Sequence, residues 1–386
     1  MDGAGAEWPE PVVRVQSLSE SGAATIPDRY VKPEAERPAM AAAAEVELTE
    51  GEGIPVVDMS SPGDPATARA VSEACREWGF FQAVNHGVPA ELLRRARGVW
   101  RGFFRQPMEV KQLYANSPAT YEGYGSRLGV EKGAVLDWGD YYFLHVRPPH
   151  LFDPHKWPHL PPDLRETTEE YSREVAALCG RLMTAMSVGL GAAPSRLQEA
   201  FGGEEGAGVC VRVNYYPRCP QPELTLGLSS HSDPGGMTVL LADDRVRGLQ
   251  VRRRGAWVTV DPVPDAFIVN VGDQIQVPTK NLELTSPRLS GVEAQEPSRV
   301  LTNATYRSVE HRVMVNAVEE RLSVALFYNP RSDLPLAPMP ELVSPDHPSL
   351  YKPMTFDEYR LYIRRKGPRG KSQVESLKAT DVGGAT

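Results

Sequence analysis

At 386 residues the chain exceeds a minimal domain and fits one large all-β domain with helical additions, or two domains. A formal net charge of −8 lacks the basic excess that a nucleic-acid face needs, and no apolar run approaches the ~18 residues of a membrane span. The four cysteines form no Cys-x-x-Cys pair, which argues against a structural zinc site, and no signal peptide opens the chain, so the expectation is buried reduced thiols in a cytosolic protein, with a nuclear pool also open.

Residues 1–53 read as a Pro-rich arm followed by a low-complexity acidic linker from Ala41 to Gly53. Ile54–Asp58 then reads as a short strand. Asp64-Pro65 has the form of an N-cap followed by proline at the first helical position, and Val71, Ala74, Cys75 and Trp78 continue at helical spacing. Phe80–Val84 is a predicted strand, ended by Asn85-His-Gly-Val-Pro89. Leu92, Leu93, Ala96, Trp100 and Phe103 mark a second helix, and Tyr171, Val175, Leu178, Leu182 and Met186 a long third one. Residues 54–205 are thus expected to form a helical N-terminal region.

From about Val209 short strands separated by turns take over: Val209–Tyr216, Met237–Leu241, Gly248–Arg252, Ala256–Val260, Ala266–Val271, Ser308–Val315 and Leu322–Tyr328. Regularly spaced short strands predict a closed or double-sheet architecture over residues 206–370. The expected fold is mainly β with α additions: a jelly roll, or double-stranded β-helix, holding a metal at its mouth. The chain returns to helix from Thr355 to about Arg365, and residues 371–386 read as a disordered tail.

Three residues carry the chemistry. His231 and Asp233 lie two apart in Leu228-Ser-Ser-His-Ser-Asp233, a spacing that on a strand turns both to one side. His311 closes Tyr306-Arg-Ser-Val-Glu-His311. Two imidazoles and one carboxylate make the facial triad of a non-heme Fe(II) oxygenase, which leaves the opposite face of the ion open. A 2-oxo acid and O₂ can fill that face. Arg321 and Ser323, again two apart, offer a guanidinium fork and a hydroxyl to the cosubstrate's far carboxylate, and Tyr216 in Asn214-Tyr-Tyr-Pro217 can add a hydrogen bond. The other histidines (His86, His145, His150, His155, His159 and His347) lack such partners and read as structural or surface residues.

Asn214-Tyr-Tyr-Pro217, His231-Ser-Asp233, His311, Arg321-Leu-Ser323, Gly79-Phe-Phe81 and Val84-Asn-His-Gly87 resemble the plant 2-oxoglutarate- and Fe(II)-dependent dioxygenases. Within that family, Trp8–Leu18, Leu136–His145 and Tyr359–Ser372 resemble the jasmonate-induced oxygenases. The resemblance implies Fe(II), 2-oxoglutarate and O₂, with ascorbate in support, and the conversion of jasmonic acid to 12-hydroxyjasmonate. It also implies that Asn214 and Tyr216 join Arg321 and Ser323 at the cosubstrate. Arg212, Arg360 and Arg364 would hold the substrate's carboxylate, and Phe143, Phe327 and Phe356 would wall its apolar part. Phe356, Arg360 and Arg364 recur every four residues, so a helix would align them. A flavonoid dioxygenase of the anthocyanidin synthase or flavonol synthase type is the alternative within the chemistry.

One stretch departs from the family pattern. Gly272–Val277 should run almost directly into Leu301–Tyr306, yet residues 278–300, with Pro278, Pro287 and Pro297, intervene. They read as a polar loop or a translated intron. The expectation is that they loop out and the triad still forms, because loop closure costs rise slowly with length. The alternative is a catalytically silent isoform, since a one-residue slip of the following strand would turn His311 outward.

Overall fold

The computed structural model describes residues 7–38, 53–129, 131–276, 305–333, 335–336 and 354–366, without the side chains of 335, 336, 354, 362 and 364–366. The linker up to Glu52, residues 278–300 and the tail 371–386 lie outside the described residues.

Two sheets face each other, as the sequence predicts. The strands are β1 (Val56–Asp58), β2 (Phe80–Val84), β3 (Gly123–Gly125), β4 (Asp140–Arg147), β5 (Gly208–Tyr216), β6 (Leu228–His231), β7 (Met237–Leu241), β8 (Leu249–Arg253), β9 (Ala256–Thr259), β10 (Phe267–Val271), β11 (His311–Val313) and β12 (Arg321–Asn329). The larger sheet has eight strands in the order β1-β2-β10-β7-β12-β5-β4-β3, and the smaller has four, β6-β11-β8-β9. Only β1–β2 is a parallel pair among these twelve strands. Strands β1 to β4 come from the N-terminal region, so residues 54–205 add four strands, as well as helices, to the sheet that the C-terminal half builds.

The alternation of each long strand decides what it faces. On β5, Val209, Val211, Val213 and Tyr215 join Leu322, Val324, Leu326 and Tyr328 of β12 in the main core. That core is completed by helices Pro65–Glu77, Ala90–Phe104 and Leu164–Gly189, which supply Val71, Cys75, Trp100, Phe103, Leu178 and Leu182. The opposite rows, Cys210, Arg212, Asn214 and Tyr216 with Arg321, Ser323, Ala325 and Phe327, line the cavity between the sheets. Strand period two thus gives the sheet an apolar back and a chemically mixed front.

Local chemistry sets the element ends. Asp64 caps the helix that follows, accepting a 2.8 Å hydrogen bond from Ala66 N, with Pro65 at its first position. Gly79 turns into β2 at φ +65°, and a Cβ there would lie 2.1 Å from the Arg307 carbonyl oxygen. That contact brings the segment before β11 against the helix 65–77. The strand expected over Ser308–Val315 runs only from His311 to Val313; at its start Ser308 N donates to the Gln276 side chain and Ser308 Oγ to Asp273 instead of to a neighbouring strand.

The arm before the linker docks on the sheet edge. Helix Val15–Glu20 has its first amides held by buried Asp140, whose carboxylate accepts from Val15 N at 2.9 Å and Gln16 N at 3.0 Å. Lys32, 2 % exposed, pairs with Asp137 at 2.8 Å. All four cysteines are free and buried.

His86 gives the fold a pH response. Its Nδ1 accepts from Val88 N at 3.1 Å and its Nε2 donates to the Asp265 carbonyl at 2.8 Å, which fixes the neutral ring. Burial, with Arg181 nearby, holds its pKa below the ordinary value, against the opposing pull of Asp265. The unfolded chain therefore takes up this proton first, and the contribution of His86 to stability is lost as pH falls below ~6.5. The melting temperature should fall from pH 7.5 to 5.5, and less steeply in His86→Asn; equal slopes for the two proteins would refute the assignment.

Candidate metal centre

The two histidines meet because their strands do. His231 ends β6 and His311 begins β11, and the antiparallel register sets them directly opposite, with ring centroids 4.2 Å apart. Each ring has its tautomer fixed from behind. His231 Nδ1 donates to the Ser229 carbonyl at 2.8 Å, and His311 Nδ1 to the Val309 carbonyl at 3.2 Å. A carbonyl only accepts, so both Nε2 lone pairs face forward as metal ligands.

Asp233 arrives differently from the expected strand geometry. Strand β6 stops at His231, and Asp233 lies in the turn before Pro234-Gly-Gly236. It is placed by hydrogen bonding and not by strand alternation. Asp273 N donates to the Asp233 carbonyl at 2.8 Å, and Gly272 N to that of Gly236 at 2.7 Å. Its Oδ2 accepts from Thr238 Oγ1 of β7 at 2.5 Å and Asn270 Nδ2 of β10 at 2.9 Å. Thr238 and Asn270 are register partners, so the larger sheet grips a carboxylate that the smaller sheet delivers. The sequence reading missed both residues; only Thr238, inward on the strand that follows the turn, had a local signal, since Asn270 arrives by the β7–β10 pairing.

Asp233 Oδ1 is left facing His231 Nε2 at 3.6 Å and His311 Nε2 at 3.7 Å. These separations are too long for hydrogen bonds. They suit three ligands of one ion, since two ligands each ~2 Å from a centre lie about 3 to 3.6 Å apart. The three ligand atoms lie within 4.8 Å of one another, and this is the one such cluster of three or more His, Cys, Asp or Glu side chains among the described residues. Burial raises the Asp233 pKa, but the two imidazoles and Asn270 together hold it well below the ordinary carboxylate value. Burial and the neighbouring His231 push His311 down to about 4, so at neutral pH it is unprotonated and ready to ligate.

The triad opens into a cavity of about 210 Å³. On one side lie Arg321, Ser323, Asn214 and Tyr216, brought together by the β5–β12 register of Arg321 with Tyr216 and Ser323 with Asn214. Arg321 is 3 % exposed, lies over the Tyr216 ring at 5.4 Å, and reaches Ser323 Oγ only at 3.5 Å. Its Nε is buried without a hydrogen-bond partner, and it forms no ion pair among the described residues. A buried cation with orphaned donors is a site built for an anion.

The other side is apolar, walled by Phe143, Phe327 and Phe356 with Ile363. Arg212 and Arg360 are there too. Arg212 lies over the Tyr141 ring at 4.3 Å and donates through Nε to Asn214 Oδ1 at 2.7 Å. Arg360 and Phe356 project from helix Phe356–Lys366. Arg364 belongs to the same helix, and its side chain lies outside the described residues.

A buried carboxylate ties these parts together. Asp273, 3 % exposed, accepts from Ser232 between two of the ligands (3.2 Å), from Ser308 ahead of β11 (2.7 Å) and from Tyr359 of the C-terminal helix (2.9 Å).

Comparison with known proteins agrees with this geometry. Residues 54–160 match the family model described as the N-terminal region of the non-haem dioxygenase in morphine synthesis, and residues 207–330 that of the 2OG-Fe(II) oxygenase superfamily. The chain is 55 % identical to jasmonate-induced oxygenase 1 of Arabidopsis thaliana over 97 % of this chain and 88 % of that one. It is 41 % identical to flavanone 3-dioxygenase 2 of Oryza sativa subsp. japonica over 89 % and 92 %. The crystal structure of JOX2 in complex with 2OG, Fe and JA superposes with a TM-score of 0.84 at 55 % identity, covering 97 % of this chain and all of that one.

Proposed function

The chain belongs to the 2OG-Fe(II) oxygenase superfamily, and on that premise we propose that it hydroxylates jasmonic acid to 12-hydroxyjasmonate, lowering jasmonate signalling. One observation carries the substrate: the cavity that opens from the triad is largely apolar yet is also lined by two guanidinium groups besides Arg321, those of Arg212 and Arg360. A small apolar acid with one carboxylate needs both features. A neutral flavanone needs no such cations, and its dioxygenase is the less similar relative.

His231, Asp233 and His311 would hold the ferrous ion. When bound, that ion and 2-oxoglutarate supply the oxidising chemistry, coupling decarboxylation to succinate with O₂ to hydroxylation of a C–H bond. The chain does the rest. Arg321, with Ser323 beside it, clamps the far carboxylate of 2-oxoglutarate, and Tyr216 and Asn214 border that pocket. Phe143, Phe327 and Phe356 exclude water and pack against the substrate ring. Arg212 and Arg360, with Arg364 assigned alongside on family resemblance, anchor its carboxylate, so that the chain end distant from the acid is presented to the metal. Holding the target carbon in place turns an intermolecular oxidation into an intramolecular one. Two features weigh against a silent isoform: the triad assembles in the chain that includes residues 278–300, and its second histidine keeps register. The free, buried thiols support a reducing compartment, and we place the enzyme in the cytosol.

Purified protein with Fe(II), 2-oxoglutarate and jasmonic acid should release succinate and a product heavier by one oxygen. Arg360→Ala should raise KM for jasmonic acid about 10- to 100-fold, the range for losing a charged hydrogen bond. Turnover of a flavanone but not of jasmonic acid would overturn the reading.

A further inference from the structure

We propose that His145, backed by Glu122, is a positioning residue that sets Arg360 for the substrate's carboxylate and thereby makes the enzyme prefer acids to neutral molecules. The inference rests on the functional reading above and goes one residue deeper into the same wall.

His145 continues the inward row of β4 after Tyr141 and Phe143, and its ring packs edge-on against Phe143 at 5.0 Å. It is only 4 % exposed. Arg360 Nη1 lies 3.2 Å from His145 Nε2. Arginine has donors only, so the imidazole is the acceptor and its hydrogen is on Nδ1. That nitrogen faces Glu122 Oε2 at 3.7 Å, and Glu122 Oε1 accepts the main-chain N–H of His145 at 3.0 Å. Glu122 is itself 5 % exposed. Glu122 thus fixes the His145 main chain and sits beside its ring, and the imidazole carries the contact from β4 to Arg360 of the C-terminal helix.

The acceptor's chemistry is the point. A carboxylate at position 145 would hold Arg360 equally well but would neutralise it and compete with the substrate. A neutral imidazole fixes the guanidinium in space while leaving its charge for the ligand. Asp357, which accepts from Nη2 at 2.7 Å, is 44 % exposed at its side chain and is screened by solvent. Arg360 Nε is buried and without a partner among the described residues, and the side chain lines the cavity. One edge of the fork is thus held by the protein, and the rest is presented to a ligand. Preorganisation of this kind spares the substrate the cost of ordering a long side chain.

The test compares jasmonic acid with its neutral methyl ester in wild-type, His145→Leu, His145→Gln and Arg360→Ala proteins. His145→Leu should raise KM for the acid about 10-fold and shrink the acid-over-ester preference by the same factor. Its KM for 2-oxoglutarate and its melting temperature should stay those of the wild type. His145→Gln, whose amide oxygen can accept from Arg360, should recover most of the loss. An unchanged preference in His145→Leu, alongside a clear loss in Arg360→Ala, overturns the inference alone. So does a His145→Leu protein impaired equally on acid, ester and 2-oxoglutarate, which marks a structural role. A wild-type enzyme with no acid preference overturns the functional reading and this inference with it.

Discussion

An Asp233→Asn protein is expected to lose iron and at least about a thousandfold of its 2-oxoglutarate turnover, while its circular dichroism stays that of the wild type. The substitution is isosteric, so volume does not decide the outcome. Asp233 Oδ2 accepts from Thr238 and Asn270, and Oδ1 faces the two imidazoles. An asparagine can satisfy those two donors only by placing its oxygen at the Oδ2 position. Its NH₂ then occupies the ligand position, where it cannot bind a cation. The reverse orientation sets the NH₂ against the Asn270 amide donor inside the core and is worse. Asn270→Ala removes one of the two bonds behind the ligand and should cost about 10-fold in iron affinity, the lower range for groups that orient a metal ligand. Iron content after gel filtration, with succinate release, checks both. Wild-type iron content in Asp233→Asn would remove the metal assignment.

The second large effect is at Arg321. Its replacement by methionine should raise KM for 2-oxoglutarate about 100-fold or more, near 2.7 kcal/mol, as expected for losing a charged, bidentate contact out of water. Stability should move the other way or not at all. Burial holds the Arg321 pKa below its ordinary value, and its Nε has no partner. Trading an uncompensated buried cation for an apolar side chain of similar length is often neutral or stabilising. The ligand-free variant should therefore melt no lower than the wild type. Arg321→Lys should also bind 2-oxoglutarate more weakly, because an ammonium cannot reproduce the guanidinium fork. A wild-type KM in either variant would show that the cosubstrate binds elsewhere.

Much of this site could be read from the chain itself. His231 and His311 stand out because the chemistry restricts residue types, and Arg321 with Ser323 because strand parity aligns them. Strand β5 was legible because the β-branched Val209, Val211 and Val213 recur at period two, with Arg212 and Asn214 on the other face. Strand β4 was not recognised as a strand. Asp140-Tyr-Tyr-Phe-Leu-His145 is buried on both faces, one against the helices and one against the cavity, so no alternation marks it. With β4 unread, His145 lost its context and read as structural. Asp233 does converge with the two histidines, but not by the strand alternation expected of it. Pro234-Gly-Gly236 marks a turn, and the gripping residues Thr238 and Asn270 become neighbours only through β7–β10 pairing. Non-local pairing of this kind has no local signature. The docking of the arm at Asp140 and Asp137 is equally long-range.

The staples around Asp273 have a consequence for how the gene can vary. Gln276 Oε1 accepts from Ser308 N at 2.5 Å, Asp273 Oδ1 from Ser308 Oγ, and Tyr306 OH donates to the Met186 carbonyl at 2.8 Å and lies 2.9 Å from Ser72 Oγ. Departure and re-entry of the chain are therefore pinned side by side, upstream of the second imidazole. The strand's register is set by those pins and not by the tether between them. Codons gained or lost between these pins should therefore leave His311 where the pairing with His231 puts it, which makes this the natural graft point in an otherwise interlocked barrel.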